Sequence, residues 1–274
     1  MPRFTLTNRS DNFDSRDEPD WGDFSRVSGG NGSDTIRIDG DHNVLDGGNG
    51  EDVLYACGDF NLLLGGNGKD SLRVVGDDNR LYGGNGVDVL VAVGEGNLLD
   101  GGNGADRLTS VSHGGFYEIG EGNVLTGGQA FDSFVLNNRS DLRVVNDESG
   151  SPHLPWLPPP AGAGVVSEGD IIVGVMDEIT DYTAGERLRI GATREADAPV
   201  GLDDFAPHHQ HLELTDGEYA FIRGDQVGNG RFEVTDDGGD LLLVYDANGG
   251  GDALFLQGAV VLQGVTDPES VFIG

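Results

Sequence analysis

A six-residue, glycine-rich phrase occurs six times between residues 29 and 132, and its first five copies are evenly spaced. The five copies share the pattern Gly-Gly-Asn-Gly-x-Asp and begin 18 residues apart. They start at Gly29, Gly47, Gly65, Gly83 and Gly101. A sixth, weaker copy, GGQAFD, starts 26 residues later at Gly127. Repetition at a fixed period predicts a solenoid, in which every repeat is one structural unit stacked on the next.

Each 18-residue unit consists of two halves, because a large apolar residue recurs every nine residues. These residues are Ile36, Leu45, Leu54, Leu63, Leu72, Leu81, Leu90, Leu99 and Leu108. Their neighbours vary freely, as expected when one inward residue lies between two outward ones in a strand. We therefore predict an all-β solenoid with about three residues of strand per half and coils about 4.8 Å apart. Paired glycines exclude a helix, and the absence of glycine at every third position excludes collagen.

The acidic residue of the phrase predicts a cation site along one edge of the solenoid. Stacked coils would place these aspartates in a column, where like charges repel by roughly 1 kcal/mol in water and by more in less polar surroundings. Glycine permits a left-handed backbone that turns carbonyl oxygens towards the same point. Oxygen-only ligands suit Ca²⁺, whereas zinc or copper would require His or Cys.

Residues 29–109 resemble the GGxGxDxUx repeat of haemolysin-type, or RTX, calcium-binding β-rolls. The resemblance implies that each ion lies between turns one coil apart, held by aspartates and turn carbonyls of both. Five turns give about four ions, and a fifth would use Asp132 of the sixth turn, where Ala130 replaces glycine. The implied ligands of the first five turns are Asp34, Asp52, Asp70, Asp88 and Asp106, with carbonyl oxygens of Gly29, Asn31, Gly32, Gly47, Asn49, Gly50, Gly65, Asn67, Gly68, Gly83, Asn85, Gly86, Gly101, Asn103 and Gly104.

The opposite edge, nine residues out of phase, carries asparagine where the first edge carries the final aspartate. Two interpretations remain open for it. In the first, the asparagines form a ladder that caps the turns. In the second, the edge holds weak calcium sites at the acids Asp41, Asp59, Asp77, Glu95 and Glu121.

The chain divides into four regions by pattern. Residues 1–28 are predicted to form an N-terminal cap, 29–136 the roll, 137–170 a Pro/Gly-rich linker and 171–274 a β-rich C-terminal domain. The order of segments from residue 127 onward resembles that of the cap region in serralysin-type secreted proteases, through GGQAFDSFVL at the end of the roll, the segment Asp177–Tyr182 and the run Leu241–Leu243 before an Asp/Gly turn. That resemblance implies a capping and secretion role. The whole chain is thus expected to be a parallel β-roll followed by a mixed-β cap.

Two further clusters are candidate metal sites. The segment His208–His211 contains three histidines, which could bind a transition metal or lie in a polar loop. The turn Asp246–Asp252 alternates acidic and amide groups, which suits either calcium or a plain hairpin turn.

Composition narrows the partners and the compartment. The net charge of −32 argues against nucleic acid or an anionic membrane as the partner, and predicts that calcium binding and folding are coupled. We find neither an N-terminal apolar leader nor an apolar stretch that could span a membrane. The single cysteine, Cys57, allows no internal disulfide. The RTX resemblance implies export that does not use a signal peptide, with a C-terminal signal in residues 267–274.

Two functions from different classes are compatible with this sequence. No HExxH, GxSxG or phosphate loop is present, so we do not expect an enzyme. The first hypothesis is a secreted calcium-binding structural or interaction module. The second is an accessory module that binds an extracellular polysaccharide or a partner enzyme through one apolar strip. That strip would contain Tyr55, Leu62, Leu64, Tyr82, Val89 and Val91.

Overall fold

A computed structural model describes most of the chain, which divides into two units. The residues it describes are 2–17, 22–112, 120–137, 140–146, 166, 171–190, 192, 194–196, 201–206, 209–214, 217–228, 230–246 and 256–274. The first unit comprises Met1–Ser112, Asn123–Val135 and Gly185–Leu188, and the second comprises His113–Gly122, Leu136–Ala184 and Arg189–Gly274.

The first unit is a roll of two parallel sheets that alternate along the chain. One sheet contains β1 (Arg3–Thr5), β3 (Arg26–Asn31), β5 (Val44–Asn49), β7 (Leu62–Asn67), β9 (Arg80–Asn85), β11 (Leu98–Asn103) and β13 (Gly120–Gln129). The other contains β2 (Asn12–Asp14), β4 (Thr35–Asp39), β6 (Val53–Cys57), β8 (Ser71–Val75), β10 (Val89–Val93), β12 (Arg107–Val111) and β14 (Ser133–Leu136). From β3 to β12, each strand pairs in parallel with the strand one 18-residue coil away, so the predicted period is confirmed.

The core of the roll is the predicted column of apolar residues. All nine, from Ile36 to Leu108, are completely buried. Their neighbours in each strand are exposed or half-buried, which is the alternation expected of a strand with one face inward. Burial of a leucine side chain contributes about 1.5–3 kcal/mol, so this column is the main apolar contribution to the stability of the roll.

The strands are longer than the sequence predicted. They contain five or six residues instead of three. The six-residue strands include Gly-Gly-Asn, which pairs with its counterpart one coil away although its second glycine has a positive φ. A Cβ on Gly66, for instance, would lie 2.2 Å from the carbonyl oxygen of Gly48. Glycine is therefore required here for close approach between coils as well as for turning.

The asparagines of this triplet form an exposed ladder of their own. The Nδ2 of Asn49, Asn67, Asn85 and Asn103 each donates to the Oδ1 of the asparagine one coil earlier, at 2.7–2.9 Å. The third position of the phrase thus links successive coils through its side chain, a role that sequence reasoning did not assign to it.

The N-terminal region contributes one more coil. Strand β1 pairs in parallel with β3, and β2 pairs in parallel with β4, so that Arg3 lies opposite Arg26 and Asn12 opposite Thr35. A short 3₁₀ helix, Ser15–Asp17, follows β2. Residues 3–14 therefore cover the first described coil of the repeat, as an atypical terminal repeat does.

Strand β19 (Arg187–Arg189) extends the sheet of β2 to β14, and β27 (Phe272–Ile273) follows β19 in the strand order. The remaining strands form a mixed-β structure. They are β15 (Ser140–Asp141), β16 (Arg143–Asn146), β17 (Ile171–Val173), β18 (Val175–Ile179), β20 (Arg194–Glu195), β21 (Gly201–Ala206), β22 (His209–Glu213), β23 (Glu218–Gln226), β24 (Arg231–Val234), β25 (Asp240–Tyr245) and β26 (Leu256–Leu262). Antiparallel pairs join β23 to β24 and β25, and β25 to β26, whereas β18 and β26 run parallel. A second 3₁₀ helix covers Pro268–Ser270.

Part of the predicted linker is ordered into this structure. Strands β15 and β16 lie within residues 137–170, and Leu142 between them is buried in the core of the second unit, with Ile172 and Phe232. The proline-rich part of the linker lies outside the described residues. Among the residues that are described, no helix is long and apolar enough to cross a membrane.

We predict that Leu72→Ala destabilises the roll by about 2–5 kcal/mol, because the side chain is fully buried in a narrow core that cannot refill the cavity. Val53→Ala is the matched control, since Val53 points outward and is 47% exposed. Denaturant unfolding in calcium-containing buffer measures both. Free energies of unfolding that differ by less than about 1 kcal/mol would contradict the assigned core.

Candidate metal sites

The aspartates of the repeated phrase form a buried column with one regular hydrogen bond per coil. In each case the backbone N–H of one aspartate donates to Oδ1 of the aspartate one coil later, at 2.7–2.8 Å. The column runs through Asp34, Asp52, Asp70, Asp88, Asp106 and Asp132, each at most 3% exposed. The Oδ1 of Asp34 likewise accepts the N–H of Asp11 at 2.8 Å, so one oxygen of each carboxylate in the column holds two coils together.

The second oxygen of these carboxylates has a different environment. Within the described part of the chain, Oδ2 is buried and has no hydrogen-bond partner in Asp34, Asp52, Asp70, Asp88 and Asp106. A buried acceptor left unsatisfied costs about 1–3 kcal/mol, and more when it is charged. A row of five such oxygens requires protons or cations beside it.

A backbone carbonyl of the next coil lies close to each of these oxygens. A Cβ on Gly29 would lie 2.5 Å from both the Oδ2 of Asp34 and the carbonyl oxygen of Gly47. The same arrangement, at 2.5–2.8 Å, recurs at Gly47, Gly65, Gly83 and Gly101. The first glycine of the phrase thus leaves open the space in which a carboxylate oxygen and a carbonyl oxygen converge.

The sixth turn continues this arrangement. Near Gly101, the Oδ2 of Asp106 is accompanied by the carbonyl oxygen of Gly127, and Asp132 accepts the N–H of Asp106 at 2.7 Å. The insertion therefore leaves the register of the edge intact. Ala130 adopts the positive φ (+93°) that glycine adopts in the other turns, at a cost of about 1–2 kcal/mol. Five equivalent intervals, rather than four, carry the paired oxygens.

The remaining predicted ligands are placed differently. The carbonyl oxygens of Asn49, Asn67 and Asn85 accept the N–H of the glycine at the fourth position of the phrase one coil earlier, at 2.8 Å. The structure therefore brings together the aspartate and the first-glycine carbonyl, while these asparagine carbonyls serve inter-coil hydrogen bonds. No three His, Cys, Asp or Glu side chains converge on one point among the described residues, so a cation here would depend on backbone oxygen.

Burial governs the ionisation of the column. Loss of hydration raises the pKa of Asp52, Asp70, Asp88 and Asp106 from 3.8 to about 6, although the backbone hydrogen bond to each Oδ1 acts in the opposite direction. Repulsion from a neighbouring carboxylate adds to the rise. The pKa of Asp34 is raised for the same principal reason. The column is thus a set of carboxylates whose charge is costly unless a cation offsets it.

The opposite edge has the same hydrogen-bond pattern without the charge. Backbone N–H groups donate at 2.7–2.9 Å to the Oδ1 atoms of the buried residues Asn43, Asn61, Asn79, Asn97 and Asn123. Here the amide nitrogen Nδ2 takes the place of Oδ2. The Nδ2 of Asn97 donates to a backbone carbonyl oxygen at 3.1 Å, and that of Asn123 donates to another at 2.9 Å. The predicted asparagine ladder is present.

The acids of this asparagine edge lie nearer to solvent. The Oδ1 atoms of Asp41, Asp59 and Asp77 accept the N–H of the acidic residue one coil later, at 2.8–2.9 Å. Their side chains are exposed or half-buried, unlike the aspartate column. Calcium binding at these acids and at Glu95 and Glu121 stays a prediction.

Sequence reasoning missed a row of rings beside those acids. Phe24, His42 and Phe60 follow the acidic residue in successive coils, and their rings stack with centroids 4.7 and 4.9 Å apart. We call these three residues the aromatic column. Each has a φ of +58° or +59°, which costs about 1–2 kcal/mol per residue, whereas a stacked pair contributes about 0.5–1.5 kcal/mol. In the sequence, the 18-residue spacing of these three residues was the signal that could have predicted the row.

The apolar strip predicted for partner binding does not exist as one surface. Tyr55, Val89 and Val91 lie in β6 and β10 of one sheet, whereas Leu62, Leu64 and Tyr82 lie in β7 and β9 of the other. Successive nine-residue halves belong to opposite sheets, so residues close in sequence point to opposite sides. Tyr55 is also covered by the guanidinium of Arg37, 4.1 Å from the ring centroid.

Metal binding at the histidine cluster, 208–211, and at the acidic turn, 246–252, stays a prediction. His208 and residues 247–252 lie outside the described residues, while His209 and His211 lie in β22 and Asp246 directly follows β25. Cys57 ends β6 as a free, half-buried thiol.

Comparison of the sequence with protein-family models gives no match, and comparison with curated proteins gives none either. The assignment of a parallel β-roll with a buried aspartate ladder therefore rests on the repeat and on its geometry.

We predict that acidification stabilises the metal-free roll. The folded-state pKa of the column is about 6 and the unfolded value is near 3.8, so the folded state binds protons more tightly. Stability should rise as the pH falls from 7 towards 4. Thermal unfolding in chelator at several pH values measures this effect.

The matched variants Asp70→Asn and Asp77→Asn separate the column from general charge repulsion, since both remove one negative charge. Only Asp70→Asn should reduce the pH dependence, because Asp70 is buried and Asp77 is exposed. Equal slopes in the two variants, or a roll that is progressively destabilised between pH 7 and pH 5, would contradict the prediction.

Proposed function

We propose that this chain is a haemolysin-type (RTX-like) calcium-binding protein that folds on binding Ca²⁺ outside the cell and serves there as a structural or interaction module. The observation that carries the proposal is the row of buried aspartate Oδ2 atoms, each beside a first-glycine carbonyl of the next coil. The repeated phrase supports it independently, through its resemblance to the RTX nonapeptide.

The chemistry of the donors favours calcium. Ca²⁺ accepts six to eight oxygen ligands in flexible geometry, including carboxylates and backbone carbonyls. Mg²⁺ requires near-ideal octahedral geometry and retains water, which a buried interval between coils does not easily admit. In this proposal Asp34, Asp52, Asp70, Asp88 and Asp106 each supply a carboxylate oxygen, and Asp132 closes the last interval.

The charge of the chain supports coupling between binding and folding. Five divalent ions would offset 10 of the 32 net negative charges, and they would do so at the buried column. A ligand that binds only the folded state stabilises that state in proportion to the logarithm of its concentration. The roll would therefore be weakly stable where calcium is scarce and firmly folded where calcium is abundant. Export without a signal peptide, as the resemblance implies, fits this behaviour.

Calcium should convert chelator-treated protein from coil to strand in one cooperative step, because each ion joins two coils and each coil adds a site for the next ion. Far-UV circular dichroism during a calcium titration measures the transition, and magnesium at equal concentration is the control. Strand structure that is already complete in chelator, or an equal response to magnesium, would contradict the proposal.

Asp70→Asn should weaken calcium binding by about tenfold or more, and reduce the number of bound ions by at least one. The amide suits the site sterically, because asparagine occupies the equivalent buried position on the opposite edge. Isothermal titration calorimetry measures affinity and stoichiometry.

Asp77→Asn is the control for this variant, because it removes the same charge from the exposed acids of the asparagine edge. Its binding isotherm should match that of the unaltered protein. A loss as large as that of Asp70→Asn would instead place calcium on the asparagine edge.

A further inference from the structure

The aromatic column places large apolar rings at the surface of the roll. Phe24 is 49% exposed and Phe60 is 52% exposed, although both rings take part in stacking with His42. The next two residues in the same column are Asp78 and Gly96, which carry no ring and also have positive φ. Glycine therefore meets the backbone requirement of this position without strain, so the turn itself does not call for the aromatic residues.

The surroundings of the column are strongly negative. The loops at residues 22–25, 39–43, 57–61, 75–79 and 93–97 contain no lysine or arginine. They contain seven acidic residues: Asp23, Asp39, Asp41, Asp59, Asp77, Asp78 and Glu95. The guanidinium of Arg37 pairs with Asp39 at 3.0 Å, at the border of this edge. An exposed aromatic row with this charge is complementary to a cationic, partly apolar partner.

Phe60 is the last ring of the column, and its geometry selects the kind of cation. His42 covers one face of Phe60, so the other face is turned towards the coil of Asp78. Phe60 is 52% exposed, so the coil of Asp78 leaves a large part of the ring uncovered. A ring face next to carboxylates suits a guanidinium, which stacks on aromatic rings and pairs with carboxylates in the same plane.

We propose that the asparagine edge is the docking surface for an extended, arginine-bearing segment of a partner protein. One guanidinium packs on the open face of Phe60 and pairs with Asp77 or Asp78, and further cationic side chains follow the acidic row along the coils. Mutual stacking covers both faces of His42, and the acids beside the remaining face of Phe60 favour a cation there over a neutral sugar. Arginine is favoured over lysine because only the guanidinium is planar.

Docking on this surface requires a folded roll with stacked coils. It rests on the proposed function in one respect, because calcium binding would be what folds the roll. Circular dichroism therefore accompanies every binding measurement. If the roll is folded without calcium, the calcium proposal fails while docking can still be measured.

The experiment uses the full-length chain in calcium at physiological ionic strength. Fluorescence anisotropy compares a labelled arginine hexapeptide with a lysine hexapeptide of equal charge. We expect the arginine peptide to bind several-fold tighter. Phe60→Gly, which suits the positive φ of this position, should weaken arginine binding about 3- to 10-fold and leave lysine binding nearly unchanged.

Controls come from the opposite edge of the roll. Val87→Ala removes an exposed apolar side chain there, and Glu51→Gln removes an exposed charge, so neither should alter the preference for arginine. Asp78→Asn keeps a residue that tolerates positive φ, and should weaken arginine binding more than Glu51→Gln does. This variant tests the surface even if Phe60→Gly folds poorly.

Three results would overturn the proposal. The first is equal affinity for the two peptides, which would reduce the interaction to general charge attraction. The second is an equal effect of Phe60→Gly and Val87→Ala. The third is a protein that shows no preference for arginine but binds a neutral oligosaccharide, with binding lost in Phe60→Gly. That result would make the edge a sugar site.

Discussion

The structure of the roll depends on a carboxylate that serves two coils at once. In each coil from Asp52 onward, Oδ1 accepts a backbone N–H from the preceding coil, so the acid cannot move to solvent without breaking the stack. Its Oδ2 is consequently confined to a buried interval beside a glycine carbonyl. This burial raises the pKa of Asp70, which means that keeping the buried carboxylate charged costs free energy. A cation beside Oδ2, calcium in our proposal, would offset this cost, so that stacking of the coils and metal binding would be coupled.

The asparagine edge shows what the same backbone does without a charge. Asn61 and Asp70 each accept an N–H from the preceding coil through Oδ1, and both are buried. The difference of one atom, Nδ2 instead of Oδ2, removes the need for a cation. The roll thus separates its two edges chemically while it keeps one geometry. One edge has donors and a charge suited to metal, and the other leaves its acids near solvent beside exposed rings.

The sequence predicted most of the roll because its signals are periodic. The nine-residue apolar column, the 18-residue register and the buried aspartates are all confirmed. Strand length was underestimated, because Gly-Gly-Asn resembles a turn when its inter-coil pairing is unknown. The prediction that Tyr55 and Tyr82 share one surface was wrong, because successive nine-residue halves of the repeat lie in opposite sheets. Strands β15 and β16 escaped prediction because they lack periodicity and depend on tertiary contacts, as the burial of Leu142 shows.

The aromatic column is the feature that local rules least explain. Every position in that column has a left-handed backbone, which favours glycine, asparagine or aspartate, and the fourth and fifth coils have Asp78 and Gly96. Three rings in the other coils cost more in backbone strain than two stacked pairs return, so foldability alone does not account for them. Residues that oppose local preference and remain exposed are characteristic of functional surfaces. The roll accordingly has two chemically different edges, a buried aspartate column and a row of exposed rings among acids near solvent. Under the two proposals, metal binding at the first edge would govern whether the coils stack, and docking at the second would require coils that have stacked.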